Sequence, residues 1–89
     1  MTNFELPKTM DEAVDILMDI MEQEDLNALR NMKQHDLIRL HFGLGLFIRN
    51  NFGLWNPEAP IWQDIRGTPD DTAMDIIEKL WERLNNETP

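Results

Sequence analysis

His41, Arg49, Asn50 and Trp55 are the side chains best equipped for chemistry, and all lie in one largely apolar run from Leu40 to Trp55. An imidazole can act as base, metal ligand or pH switch. A guanidinium can grip a carboxylate or phosphate with two parallel bonds, and an indole beside it can stack and donate. Trp62 follows shortly after. These five residues form the candidate binding constellation.

Catalysis has little else to draw on. The chain holds no Ser, Cys or Tyr, and its few Thr sit at helix caps or ends, so His41 has no nucleophile to activate. A His on an apolar face that bonds a backbone carbonyl or a carboxylate is the simpler reading; His35 falls near a helix start and is expected in solvent. Arg49 near a helix C-terminus suits the dipole, and an internal ion pair to a flanking acid is the plain alternative to ligand binding. Asp70, Asp71 and Asp75 invite a magnesium reading, but no Walker-type phosphate loop accompanies them. Helix capping accounts for Asp70 and Asp71, and an Asp75–Lys79 pair for the third. With two His and no Cys, neither a metal site nor a cofactor is expected.

The elements that must position these residues read as helices throughout. Thr9 followed by Glu12 is a capping-box pattern, and Met10, Val14, Leu17, Met18 and Met21 then share one face, predicting a helix over about 10–22. A shorter helix over about 24–31 turns Leu26 and Leu29 inward. A third is predicted over about 35–52, with Leu37, His41, Leu44, Gly45, Ile48 and Phe52 on one face and Leu40, Phe42 and Phe47 on its flanks. Being apolar nearly all round, it should be the buried centre of the fold. Gly43 and Gly45 inside it suggest close approach of another backbone, and Gly53 suits a left-handed helix stop. The connection marked by Asn56-Pro57 and Pro60 and continuing through Gly67 carries Trp62 and Ile61 and should pack rather than float. Thr68-Pro69-Asp70-Asp71 opens a last helix over about 69–85, with Ala73, Ile76, Ile77, Leu80 and Leu84 inward; Asn85 to Pro89 is expected to fray. The expected fold is a compact all-α bundle of about four helices, a single domain over 1–89, with a long Trp-bearing loop between helices 3 and 4.

The net charge of −9 is unevenly spread: −7 over residues 1–25, +3 over 26–52 and −5 over 53–89. Asp11, Asp15, Asp19 and Glu22 line the outer face of the first helix, and Asp71, Asp75, Glu78 and Glu82 that of the last. Such faces repel nucleic-acid backbones and anionic membranes and favour a basic partner. No apolar run approaches the roughly 18 residues of a membrane span, and the N-terminus lacks a signal-peptide pattern. A cytoplasmic protein is the expectation.

Leu40-His41-Phe42-Gly43-Leu44-Gly45, then Ile48-Arg49-Asn50 and Phe52-Gly53-Leu54-Trp55, resembles the signature of a small bacterial family, domain of unknown function 6794. Pro7-Lys8-Thr9 with Asp11-Glu12-Ala13 resembles its opening, and Pro69-Asp70-Asp71, Ile76-Ile77 and Trp81 its closing helix. The chain departs from that pattern at Lys33-Gln34-His35, where the family carries a Ser-like cap before Asp36. The resemblance implies a compact, mainly helical domain in which His41, Arg49, Asn50 and Trp55 belong together. It brings no activity and no catalytic residue.

Function is expected in a non-enzymatic, acidic protein-interaction or regulatory module, of which an inhibitor or immunity protein would be one form. The alternative is a small-ligand pocket or minor enzyme built on His41, Arg49, Asn50 and Trp55. A third reading makes the acidic faces a nucleic-acid mimic. Oligomeric state stays open at this level.

Overall fold

In the computed structural model, which describes residues 5–63 and 65–86, Thr9 caps helix α1 (Met10–Ile20) as its spacing predicts. The Thr9 hydroxyl accepts from the Glu12 backbone N–H at 3.0 Å. The Glu12 carboxylate reaches back one residue further than a capping box requires, to the Lys8 N–H at 3.0 Å. Ala13, Val14 and Leu17 are buried. The helix stops before the expected Glu22, because Met21 and Glu22 are both extended. Its last turn carries Asp19 and no base, and a further carboxylate there would add to the opposition to the dipole. Placed instead at the N-cap of α2 (Gln23–Arg30), Glu22 meets a favourable end. Leu26 and Leu29 of α2 are buried as expected.

The third predicted helix is broken. Gln34–Leu40 forms a 3₁₀ segment, 41–43 turn, and α3 covers only Leu44–Asn51. Gly43 stands at the break with φ −96° and ψ −95°, a conformation outside the helical region. A Cβ on Gly43 would meet nothing, so it answers no close approach; its role is the turn. Gly45 does answer one: a Cβ there would lie 3.2 Å from the Leu40 carbonyl oxygen and 3.1 Å from Arg49 Nη1. The helical segments therefore exceed the expected four. The break also overturns the expectation of an all-round buried third helix, since Ile38, Phe42 and Leu46 face solvent.

The centre is α4 (Pro69–Asn86), which packs against α1, α2, α3 and the 3₁₀ segment. Thr68 accepts from the Asp71 N–H at 3.1 Å, and Pro69 opens the first turn. Thr72, Ala73, Ile76, Ile77, Leu80 and Leu84 are buried. Trp81 donates its indole N–H to the Met32 carbonyl at 2.9 Å, tying α4 to the end of α2. Asn85 donates to the carbonyls of Trp81 and Arg30 at 2.9 and 3.3 Å, which holds the helix ordered through Asn86 rather than frayed from 85. The rest of the expected frayed tail lies outside the described residues.

Phe52 caps α3, and Gly53 follows at φ +79° as the left-handed stop. The loop beyond it packs: Leu54, Ala59 and Ile61 are buried, with a 3₁₀ turn at Pro60–Gln63. Gly53→Ala is expected to cost about 1–2 kcal/mol, because its Cβ would also press on Ala59 Cβ at 3.1 Å. Urea unfolding would show it as a lower midpoint with unchanged slope. The radius of gyration, 12.4 Å, matches the value of about 12 Å for a compact chain of this length. No strand occurs among the described residues, and no helix there is long and apolar enough to cross a membrane.

Candidate functional site

Arg49 is 4% exposed and points inward from α3. Its Nη2 donates to the His41 carbonyl oxygen at 3.0 Å, and its Nη1 lies 3.5 Å from His41 Nδ1. Its Nε stands 3.5 Å from an Asp70 carboxylate oxygen in the first turn of α4. The guanidinium thus satisfies a carbonyl freed by the break at 41–43 and ties that break to α4. In an uninterrupted helix, residues eight apart are separated by roughly 12 Å along the axis. The turn is what brings His41 within reach. Gly45 leaves the room that the guanidinium fills.

His41 itself is half-buried, with the Phe42 ring edge-on at 4.8 Å. The expected constellation divides at this point. Arg49 turns inward, while its neighbour Asn50 is exposed and accepts from the Trp55 indole N–H at 2.8 Å. Trp55 remains 59% exposed. Trp62 is half-buried and packs on the core. Phe42, expected in the core, is 81% exposed, whereas Phe52 is fully buried and Phe47 lies between.

Asp11, Asp15, Asp19 and Glu22 are all exposed, as are Asp71, Asp75 and Glu82. Glu78 is half-buried and accepts from Gln34 Nε2 at 2.9 Å. Arg83 bonds Asp15 across the α1–α4 seam. The described ion pairs do not include the expected Asp75–Lys79; Lys79 instead lines a shallow cleft of about 330 Å³ between α1 and α4, with Asp11, Glu82 and Arg83. Among the described residues no three His, Asp or Glu side chains gather as a metal-ligand set.

An apolar groove of about 500 Å³ escaped the sequence reading. Leu17 and Met21 of the α1 end, Leu29 and Met32 of α2 and its exit, and Leu40, Leu44 and Phe47 line it, with Asp25 as the charged group at its edge. The signal was present in Leu40 and Phe47, apolar residues on a flank of the predicted helix with no assigned neighbour. The break hides it, because the groove forms where the 3₁₀ segment and α3 part.

No curated protein and no solved structure matches the chain. The model of one family, described as domain of unknown function (DUF6794), matches residues 6–84. That stretch takes in the cap at Thr9, the break held by Arg49 and most of α4, and the chain belongs to this family.

Proposed function

We propose that this chain is a non-enzymatic protein-interaction module, working in the cytoplasm of a bacterial cell, whose acidic surface docks a basic partner. The observation that carries the reading is the stretch from Asp11 to Asp25, which exposes seven carboxylates with no cation among them. Of these, Asp15 is paired with a base, Arg83. Like charges at helical spacing repel, and a basic surface laid over them relieves that repulsion. The inward turn of Arg49 also favours this reading over a pocket built on His41, Arg49, Asn50 and Trp55, because the guanidinium is already engaged inside the fold. An inhibitor or immunity protein is one form such a module takes.

The test uses capture from the native host with the wild type and with a variant carrying Asp11→Asn, Asp19→Asn, Glu22→Gln and Glu24→Gln, all at exposed positions of that stretch. A partner should be retained by the wild type and lost by the variant. Its affinity should fall steeply between about 50 mM and about 500 mM salt. An affinity that does not respond to ionic strength, or equal capture by both proteins, overturns the reading. Displacement of the captured partner by DNA would instead favour nucleic-acid mimicry.

A further inference from the structure

The groove and an exposed apolar ridge belong to the same segment of chain. Ile38, Phe42 and Leu46 are 62%, 81% and 43% exposed. They alternate along the sequence with Leu40, Leu44 and Phe47, which line the groove. Side chains from residues 38–47 therefore divide between the groove wall and solvent. Large apolar groups exposed together on one short segment mark a contact surface.

Charge separates the two features. The groove edge carries Asp25, and Asp19, Glu22 and Glu24 flank its lining residues along the chain, all of them exposed. The ridge segment carries Lys33 and Arg39, both exposed, and its one acid, Asp36, lies 3.8 Å from Arg39 Nε and 3.6 Å from His35 Nε2. The ridge is thus apolar with a small net positive charge, and the groove apolar with a net acidic lip that Arg30 and Lys33, beside Leu29 and Met32, offset only in part.

We propose that a second copy of this chain occupies the groove, each copy seating its Ile38–Phe42–Leu46 ridge in the groove of the other. A foreign amphipathic helix would fill the groove and leave the ridge bare. A second copy covers both, and it matches the basic ridge to the acidic lip. The contact is isologous, so it is made twice and closes at two copies. Two methionines, Met21 and Met32, give the groove side chains that adapt to an aromatic ring entering it. The volume of about 500 Å³ lies in the range that houses a drug-sized ligand, enough for Phe42 with an apolar neighbour. The pairing shares Asp19, Glu22, Glu24 and Asp25 with the acidic surface, but its test substitutes only Phe42 and Ala28, which carry no charge, so the two readings fail separately.

Sedimentation equilibrium from about 1 μM to about 1 mM protein tests the pairing. The wild type should reach twice the mass of one chain. Phe42→Glu removes the ridge at an exposed position, and Ala28→Trp fills the groove from an exposed position of α2 that lines it. Each variant alone should remain a monomer with an unchanged helical circular-dichroism spectrum. An equimolar mixture of the two should recover a dimer at least tenfold weaker than the wild type's, because one ridge and one groove are still intact between them. A wild type that stays monomeric throughout overturns the proposal, and so does a dimer that both variants leave intact. A monomeric wild type whose groove takes up a basic amphipathic peptide would also overturn it, by giving the groove a different occupant.

Discussion

Arg49→Ala is expected to lower stability by about 3 kcal/mol, of which the loss of the donor to the part-buried His41 carbonyl accounts for about 1–2. The side chain is 4% exposed and fills the space beside Gly45, so alanine leaves a void as well as a carbonyl without its donor. For a domain of this size, about 3 kcal/mol corresponds to a fall in Tm of roughly 12–24 °C. The ion pair contributes much less. Asp70 is 60% exposed, and a pair with one partner in water is worth about 0–1 kcal/mol. Asp70→Asn should therefore cost under about 1 kcal/mol. Arg49→Lys should fall between the two, because an ammonium cannot fork to both partners. Thermal unfolding followed by far-UV circular dichroism separates these cases. Equal losses in Asp70→Asn and Arg49→Ala would mean that charge, not carbonyl capping, closes the break.

Phe52→Ala should cost more, about 3–5 kcal/mol. Phe52 is completely buried at the C-cap of α3, with the Phe47 ring edge-on at 6.2 Å and 76°. At roughly 0.05–0.15 kcal/mol per residue, a chain of this length has about 4–13 kcal/mol in total. At the lower end of that range the variant sits close to its unfolding midpoint without denaturant and loses part of its helical signal at room temperature; at the upper end the loss appears as a much lower urea midpoint. Phe42→Ala is the matched control: 81% exposed, it should change monomer stability by less than about 0.5 kcal/mol when measured in dilute solution. A large loss in the control would place Phe42 in the monomer core and contradict the fold.

The sequence announces the ends of these elements better than their interiors. Thr9, Thr68 and Gly53 each act through bonds to their own neighbours, so residue type and local spacing suffice to find them. The apolar faces of α1 and α4 are legible for the same reason. The break at 41–43 is not, because the apolar period runs through it unbroken from Leu37 to Phe52. A helical wheel cannot register that two helical pieces share a period while pointing along different axes. What decides the matter is Arg49, whose reach to the His41 carbonyl exists only after the chain has turned. The pairing of Arg49 with a flanking acid was legible, since a buried guanidinium needs one; that the acid is Asp70 followed from the placement of α4. The groove was illegible because four separate segments build it. Phe42 shows the cost of the same blindness: its type suggests a core, and only the turn beside it shows that it faces solvent.

The position of α4 has a consequence for how the protein comes into being. It is the element on which α1, α2, α3 and the 3₁₀ segment all pack, and it is the last of them along the chain. During synthesis every earlier helix leaves the ribosome before the surface it must cover exists. Ala13, Val14 and Leu17, then Leu26, Leu29, Ile48 and Phe52, stay without their partner until residues 69–86 have emerged. The nascent chain therefore lacks the main packing surface of its earlier helices as it folds from its start, and its cooperative transition belongs after translation has passed Leu84.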